Sequence, residues 1–384
     1  TDNKGNPIPA TPFDMGSGQV NPGPAFDPGL VYNSGIIDWL RYSCGRGVDI
    51  GLGDGKTSCG EFGAIPANQL NYPSIAAGAL PGTQTITRTV TDVSSLPANR
   101  ADHYTAHVTN PNGYDVTVSP SQFDIRGGQS VTYTVTITRT TAQLNQYRFG
   151  QLVWTDGSGH SVRSPISVQG VALSAPPTAS GSGTSGTTPV TVTPGYTGTL
   201  TTSVQGLAQA VVTPSAPLVQ DSGFNPNAPA ASASVQRVDT VVPAGTAWAR
   251  FATYDADYPA GTDLDVYVYR ISGTSFVSRR VSGGSSAEEA VTIKNPTAGT
   301  YAMFVVAFNV IGSTVTAKPN TFVVANAAAG NLTATPTSQS VTLGTPTTVN
   351  LTWSGLASGR WLGNVNYGDG STTIGSTLVS ITSP

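Results

Sequence analysis

Three histidines are the side chains of this 384-residue chain that could act as a general base: His103, His107 and His160. A hydrolytic site needs a nucleophile or a set of metal ligands beside the histidine, and the sequence pairs neither with these residues. His103 and His107 are four residues apart in HYTAH, which lacks the glutamate of a helical zinc-protease motif. We therefore expect exposed strand or loop histidines and assign no catalytic residue. The alternative is a metal-dependent hydrolase built from His103, His107 and an aspartate.

Acidic side chains form the clearest local cluster in the sequence. Calcium binds clustered carboxylate and carbonyl oxygens, and a β-sandwich can bring a loop aspartate and a strand aspartate together. The spacing is not that of an EF-hand. The other interpretation is a loop pair and a strand pair that point into solvent. The predicted calcium ligands are Asp255, Asp257, Asp263 and Asp265, with Glu288 and Glu289 further along the chain.

Tyrosines near the same acidic residues raise the question of sugar binding, because aromatic rings on a flat sheet face can stack on sugar rings. Alternating aromatic residues in a sandwich are more commonly core or cross-strand packing, which is the interpretation we prefer. The candidate stacking residues are Tyr254, Tyr258, Tyr267, Tyr269 and Trp361.

Cys44 and Cys59 are the two cysteines of the chain, and a glycine-rich loop separates them. A disulfide that closes a loop of about 15 residues would stabilise the fold by roughly 3 kcal/mol in the chain-entropy model. That pairing predicts an oxidising compartment, and therefore a secreted or extracellular protein. The alternative is a pair of unrelated buried thiols; a zinc site would need further ligands.

Composition limits the class of protein. Charged residues are 10% of the chain, whereas there are 44 glycines and 28 prolines, a mixture typical of all-β modules. The net charge of -3 is too small to direct the chain to nucleic acid or an anionic membrane. No apolar run approaches the roughly 20 residues that cross a bilayer. The length predicts two to four domains, and a start at Thr1 is typical of a processed or truncated chain.

Residues 1–77 are rich in proline and glycine, with one predicted helix at Ile36–Cys44. Alternating strands follow, separated by turn signals such as Asn112-Gly113, and several short strands at this spacing predict a β-sandwich. The predicted strands are Thr85–Val93, Tyr104–Thr109, Val116–Ser119, Val131–Thr138, Gly150–Thr155 and Ser161–Val168.

Four stretches resemble the C-terminal part of large subtilisin-like serine proteases, in family order. TPFDMGSGQVNPGPAFDPGLVY, Thr11–Tyr32, is similar to the stretch after the catalytic-serine helix. LNYPS, Leu70–Ser74, is similar to the end of the protease domain. TRTVTDV, Thr87–Val93, and GQLVWTDGSGHSVRSPISV, Gly150–Val168, are similar to the fibronectin type III-like domain that follows it.

The resemblance and the composition together predict tandem all-β sandwiches after a loop-rich remnant of an α/β catalytic domain. Two further stretches resemble the jelly-roll-like accessory domain of secreted bacterial proteases, namely Val242–Arg270 and Ala287–Phe308. The last strands could form an immunoglobulin-like sandwich or complete the jelly roll. The predicted segments are the catalytic-domain tail 1–77, the fibronectin III-like domain 78–174, a flexible linker 175–188, the jelly-roll-like domain 189–326 and the immunoglobulin-like domain 331–384.

The family presents its nucleophilic serine in a GTSMAxP motif, which this sequence lacks. Gly183-Thr184-Ser185 and Gly273-Thr274-Ser275 share three letters with it, and we expect ordinary loops there. The chain is therefore predicted to be the non-catalytic C-terminal part of an exported endopeptidase, with the Asp/His/Ser triad in a catalytic domain upstream. Its expected partners are that domain and protein substrates or cell-surface material, and calcium is the one candidate cofactor. The alternative is a stand-alone adhesive or carbohydrate-binding β-sandwich protein.

Overall fold

A computed structural model describes residue 5 and residues 9–53, 56–95, 100–221 and 223–384. Parts of the predicted tail 1–77, namely residues 1–4, 6–8, 54 and 55, lie outside the described residues. The chain divides into two compact units. Unit 1 consists of Thr1–Ser174, Thr193–Gly198 and Val341–Pro346, and unit 2 of Ala175–Val192, Thr199–Ser340 and Thr347–Pro384.

Short elements make up unit 1 as far as residue 74. The first helix begins with a capping box, in which the Thr11 hydroxyl accepts the backbone N–H of Phe13 and Asp14 accepts the N–H of Thr11, and Pro12 occupies the first helical position. The helix predicted at Ile36–Cys44 is confirmed as Ile36–Gly45, and Asp38 accepts the Gly35 N–H at its start at 2.9 Å. The elements are α1 (Pro12–Met15), α2 (Pro22–Ala25), β1 (Leu30–Val31), α3 (Ile36–Gly45), β2 (Gly51–Gly53), β3 (Lys56–Thr57), α4 (Ser58–Phe62) and a 3₁₀ turn (Ala67–Gln69).

The rest of unit 1 is a two-sheet β-sandwich around Trp154, Tyr133 and Ile86, all essentially inaccessible to solvent. All six predicted strands are confirmed within a few residues. One sheet has the order β1-β5-β9-β7 and the other β4-β11-β10-β6-β8. The strands are β4 (Ile75–Leu80), β5 (Thr83–Asp92), β6 (Asp102–Thr109), β7 (Tyr114–Ser119), β8 (Gln122–Ile125), β9 (Ser130–Arg139), β10 (Tyr147–Thr155) and β11 (Ser161–Gly170). The short strand β12 (Leu173–Ser174) belongs to neither sheet and pairs antiparallel with Thr193 and Pro194.

Two elements of the predicted tail belong to this sandwich. β1 pairs antiparallel with β5, and β4 pairs parallel with β11, so that Ile75 lies fully buried in the core. The predicted boundary between residues 77 and 78 therefore falls inside β4 and is corrected. The reason is that the Ile75–Leu80 stretch alternates buried and exposed residues at its start, as a strand at the edge of a sheet does.

Unit 2 contains two sandwiches, one inserted into the other. The C-terminal sandwich is built from strands on both sides of the inserted one, with β28 next to β27 and β27 next to β15. Its strands are β13 (Thr178–Ser182), β14 (Gly186–Pro194), β15 (Gly198–Gln209), β24 (Leu332–Thr335), β25 (Ser338–Val341), β26 (Thr347–Trp353), β27 (Gly359–Gly368) and β28 (Thr373–Ser383).

The inserted sandwich lies between β15 and β24 in sequence. Its sheets have the orders β16-β23-β18-β21 and β17-β22-β19-β20, all antiparallel. Its strands are β16 (Val211–Val212), β17 (Val235–Val242), β18 (Thr246–Thr253), β19 (Asp263–Ser272), β20 (Ser275–Ser282), β21 (Glu289–Lys294), β22 (Gly299–Asn309) and β23 (Asn320–Ala325), with a 3₁₀ turn at Asp255–Asp257.

The predicted flexible linker 175–188 is wrong. β13 pairs parallel with β28, and β14 pairs antiparallel with β26. Composition misled the prediction because Gly181 and Gly186 serve packing here: a Cβ on either would come within 2.4 Å of the Trp353 ring, whose Nε1 donates to the Gly183 carbonyl at 3.1 Å. The predicted domain boundaries 189–326 and 331–384 are also corrected. The strands β14 and β15, which lie within or before the predicted jelly-roll-like domain in sequence, pair with strands of the C-terminal sandwich.

Candidate functional site

The three histidines lie in different surroundings. His103 is exposed, with Nδ1 2.7 Å from Asp124 Oδ1, and His107 is exposed, with Nε2 2.9 Å from Thr155 Oγ1. The side chain of His160 is only 10% exposed. The expectation of three exposed histidines is therefore wrong for His160, because the turn after β10 folds its ring back onto Asp156.

Both ring nitrogens of His160 face carboxylates. Nδ1 is 2.5 Å from Asp156 Oδ2, and Nε2 is 3.3 Å from Asp27 Oδ1. Burial opposes a charge on the ring, but the hydrogen bonds and attraction of these two carboxylates outweigh it and raise the pKa of His160 above its ordinary value. Asp156 also accepts the backbone N–H groups of Ser158 and His160, so its position is fixed.

This cluster contains a serine, a histidine and aspartates, as a catalytic triad does, but the serine is not hydrogen-bonded to the histidine. The hydroxyl of Ser95 donates to Asp27 at 2.6 Å rather than to the histidine. A ring that donates from both nitrogens has no lone pair to accept a proton or bind a metal, although Asp102 has a carboxylate oxygen within 4.8 Å of ligand atoms of Asp156 and His160. We infer that the cluster is structural: it attaches Asp27, just before β1, to the β10–β11 turn.

Gly29, in the PGLVY stretch, lies so close to the cluster that no larger residue fits there. Its φ is +74°, and a Cβ there would come 2.3 Å from the Tyr104 hydroxyl and 2.8 Å from the His160 side chain. The backbone at Gly29 therefore packs directly against the His160 side chain.

The His160 cluster makes the stability of unit 1 depend on pH. The raised pKa of His160 contributes stability that is full below about pH 6.5 and is lost as the pH rises through its folded value. Hydrogen bonds lower the pKa of Asp27, from Ser95 first and also from His160, and His160 lowers that of Asp156 against the effect of burial. Their contribution is lost as the pH falls below about 4. His160→Gln should therefore lower the melting temperature most between about pH 4 and 6.5, and progressively less above that range.

Thermal unfolding of both proteins at a series of pH values measures this difference. His103→Gln, at an exposed histidine of the same sandwich, is the control and should change the melting temperature little at any pH. A wild-type-minus-variant difference that stays constant from pH 5 to pH 9 would contradict the assignment.

A second attachment joins the LNYPS stretch to β5. Arg88, only 2% exposed, donates to the carbonyls of Asn68, Tyr72 and Ser74 at 2.8 to 2.9 Å. The amide of Asn71 exchanges hydrogen bonds with the backbone of Thr89, at 2.8 and 2.9 Å. Guanidinium has five donors in a fixed plane, which suits several converging carbonyls.

Arg88→Ala should destabilise unit 1 by about 3 kcal/mol, because it leaves several partly buried carbonyls without a donor. Chemical denaturation followed by tryptophan fluorescence, to which the buried Trp154 of this sandwich contributes, measures the change. The matched control is Arg126→Ala, at an exposed arginine of the same sandwich, which should cost less than about 0.5 kcal/mol. Equal effects of the two variants would contradict the anchoring role of Arg88.

The predicted disulfide is confirmed. Cys44, in α3, and Cys59, in α4, are bonded with their Cα atoms 5.3 Å apart, so the alternative of two unrelated thiols is wrong. Beside it, Ser58 is fully buried and its hydroxyl donates to Asp49 Oδ1 at 3.1 Å. The bond joins the two longest helices of the N-terminal segment.

Residues 9–74 nevertheless leave an unusually apolar surface. No residue of α3 is buried, although the helix contains two isoleucines and a tryptophan at its start. Ile36 is 71% exposed, Phe26 92% and Val20 83%. We call the exposed large apolar residues of this segment the apolar face. It comprises Phe13, Met15, Val20, Phe26, Ile36, Ile37, Trp39, Val48, Ile50, Leu52 and Tyr72.

The four predicted calcium ligands have different partners. Asp257 forms an ion pair with Arg360 at 2.9 Å, and the Arg360 guanidinium lies 4.2 Å from the centre of the Tyr254 ring. The backbone N–H of Asp255 donates to Glu288. Asp263 is 8% exposed and Asp265 lines a cavity. Among the described residues, ligand-atom clusters within 4.8 Å do not include these aspartates. Calcium binding at Asp255, Asp257, Asp263 and Asp265 stays a prediction.

The candidate stacking aromatics have mostly internal partners. Tyr269 is 3% exposed and donates to the Pro226 carbonyl at 2.7 Å, and the Tyr258 hydroxyl accepts the N–H of Lys318 at 2.8 Å. Trp361 Nε1 donates to Ala357. Tyr267 differs, because it lines the same cavity as Asp265. Sequence reasoning did not find Phe224 and Phe308 beside it, since each comes from a distant part of the chain.

The described residues of both GTS tripeptides lie at turns next to strands, as predicted. Gly183 follows β13, and Gly273 lies in the turn between β19 and β20 with a φ of +59°. None of the described helices is long and apolar enough to cross a bilayer.

Comparison with known proteins first defines the class. The fibronectin type-III domain family matches residues 69–168, which is the sandwich of unit 1. Two plant proteins then identify the wider relationship. Subtilisin-like protease SBT3.16 of Arabidopsis thaliana is 36% identical over 187 residues, 44% of this chain and 23% of its own. A subtilisin-like protease of Glycine max is 38% identical over 169 residues, 42% of this chain and 20% of its own.

The predicted relationship is thus confirmed: the chain carries a C-terminal portion of the subtilisin-like protease type, with a fibronectin III-like domain in an all-β architecture. It spans about a fifth of the length of the curated relatives it matches. Tripeptidyl peptidase 2, a solved structure, has a TM-score of 0.22 and 12% identity over 65% of this chain and 19% of its own, which is too low to inform the fold.

Proposed function

We propose that this chain is the non-catalytic C-terminal part of an exported subtilisin-like serine endopeptidase and stabilises the catalytic domain through its N-terminal segment. The proposal includes an extracellular location and protein substrates or cell-surface material as the contacts of the accessory sandwiches. The relatives named subtilisin-like proteases support the class, and the Cys44–Cys59 disulfide supports the compartment.

The observation that carries the proposal is the apolar face. Burying one large apolar side chain is worth about 1.5 to 3 kcal/mol. Eleven such side chains on one short segment are a large unused source of stability, and exposed apolar surface of this kind marks an interaction site. The same segment is attached to the sandwich by the buried Leu30 and by polar contacts at His160 and Arg88. Phe13 also packs against two aromatic rings of the sandwich, whereas Phe26 and Ile36 stay exposed and are available for a partner.

The proposed division of labour follows from these contacts. Residues 9–74 complete the catalytic domain, and the fibronectin III-like sandwich holds them in place. The two sandwiches of unit 2 supply substrate or surface contacts. The catalytic serine, histidine and aspartate belong to the upstream region.

A double variant, Phe26→Ser with Ile36→Ser, tests the docking role in the complete protease. Both side chains are exposed in this chain, so its own melting temperature should be unchanged. In the complete protease the variant should lose about 3 to 6 kcal/mol of stability, because two apolar side chains no longer dock. Residual peptidase activity after heating measures the loss.

Val241→Ser is the matched control, since Val241 is 70% exposed in the inserted sandwich. It should leave the heat resistance of the complete protease unchanged. Equal heat resistance of the double variant and the wild type would refute docking through the apolar face.

The chain alone should not hydrolyse a fluorogenic peptide, because both nitrogens of its one buried histidine are occupied by carboxylates. Turnover that is abolished by a serine-directed inhibitor would contradict this. Upstream sequence without an aspartate, a histidine and a GTS-type serine in subtilase order would overturn the assignment to a protease.

A further inference from the structure

The inserted sandwich of unit 2 carries a cavity of about 370 Å³ that the proposed function does not use. Carboxylates and aromatic rings meet in it, although they come from three separate parts of the chain. Its main lining residues are Asp221, Phe224, Asp265, Tyr267, Val306 and Phe308.

Strand geometry builds the floor of this cavity. Asp265 and Tyr267 are two residues apart on β19 and therefore point to the same face of the sheet. On the neighbouring strand β22, Val306 lies opposite Asp265, and Phe308 follows two residues later. A carboxylate, a phenol and an exposed phenyl ring are thus placed side by side.

Asp221, Gly223 and Phe224 line one side. Asp221 Oδ2 accepts the backbone N–H groups of Gly223 and Phe224 at 3.0 and 2.8 Å, and its Oδ1 accepts the Ser234 hydroxyl at 2.7 Å. The Phe224 ring lies 4.8 Å from the Tyr267 ring, measured between centroids. The wall is therefore held by its own hydrogen bonds and does not have to form around a ligand.

Acidic side chains dominate the electrostatics around Asp265. Burial, together with the nearby charges of Asp263, Glu289 and Asp221, raises the pKa of Asp265 to about 6. Asp265 forms no ion pair with any cationic side chain in the described part of the chain. Arg279 is near Tyr267, but its guanidinium donates to Asn227 at 3.2 Å.

The carboxylate of Asp265 is half-buried and lies close to the backbone of Gly283, where a Cβ would come 2.6 Å from its Oδ1. Phe308, in contrast, is 58% exposed at the rim, although the β22 residues from Tyr301 to Ala307 are buried. The cavity thus has an anionic interior and an apolar, accessible rim.

We propose that this cavity binds the cationic side chain of a lysine or arginine in a peptide segment of another protein. Aromatic faces attract organic cations, and a carboxylate within a partly desolvated pocket gives the ion pair its strength. The methylene stem of the basic residue would lie along Phe308 and Tyr267. A hydrated divalent ion would use the carboxylates and gain nothing from three aromatic walls. This site is in unit 2 and does not depend on the role proposed for the apolar face.

Calorimetric titration of the full chain at pH 7.5 tests the proposal with the peptides acetyl-Gly-Lys-Gly-amide, its Arg analogue and its neutral Gln analogue. We expect millimolar or tighter binding of the Lys or Arg peptide and at least tenfold weaker binding of the Gln peptide. Asp265→Asn should weaken binding of the basic peptide about tenfold, and Phe308→Ala, at the exposed rim, several-fold.

Asp239→Asn is the control, because Asp239 is an exposed carboxylate of the same sheet that pairs with Arg237 outside the cavity. It should leave the affinity unchanged. Phe308→Ala keeps the test valid if Asp265→Asn fails to fold.

Three results would overturn the proposal. The basic peptides could fail to bind at millimolar concentration, or the Gln peptide could bind equally well. Calcium chloride alone could raise the melting temperature in an Asp265-dependent way while the peptides do not bind, which would assign the carboxylates to calcium instead.

Discussion

Helix α3 imposes the main physical constraint on this chain, because it has isoleucine and tryptophan side chains and buries none of its residues. A ten-residue helix gains little from helix propensity alone, and in proteins its stability comes from packing an apolar side against something. In this chain α3 is kept in place by a disulfide to α4 and by an N-terminal cap at Asp38. Both keep the helix formed without covering it.

The N-terminal segment has an apolar anchor in the fibronectin III-like sandwich, because Leu30 is buried in its core, and polar contacts orient the segment around that anchor. Arg88 binds carbonyls, His160 bridges two carboxylates, and the Tyr32 hydroxyl lies 2.7 Å from that of Tyr133. Directional contacts of this kind fix an orientation at little cost in apolar surface. The segment can therefore keep residues such as Phe26 and Ile36 exposed while it remains part of unit 1.

Sequence reasoning succeeded where the signal was local. Alternation gave six strands of unit 1, and the capping aspartate and following glycine gave the helix at residue 36. It failed where the reason for a residue lies far away in the chain. The glycines at 181 and 186 were interpreted as linker residues because nothing nearby indicates that Trp353 covers them. His160 was expected to be exposed because Asp27, its second partner, is more than 130 residues earlier.

The same limitation applies to both candidate sites. The acidic cluster was visible as a group of carboxylates, yet the ion pair of Asp257 with Arg360 joins it to a strand of the other sandwich of unit 2. The cavity at Asp265 depends on Phe224 and Phe308, which no sequence pattern connects. Sequence motifs were sufficient to identify the relationship to subtilases. The residues to which the proposed roles are assigned come together only in the folded chain.

Amide hydrogen exchange, compared between this chain alone and the same residues within the complete protease, tests docking of the N-terminal segment most directly. We expect amides of α3 and of residues 12–26 to exchange rapidly in the chain alone and to become strongly protected in the complete protease, while β9 is equally protected in both. Equal exchange of α3 in the two proteins would show that the segment does not dock.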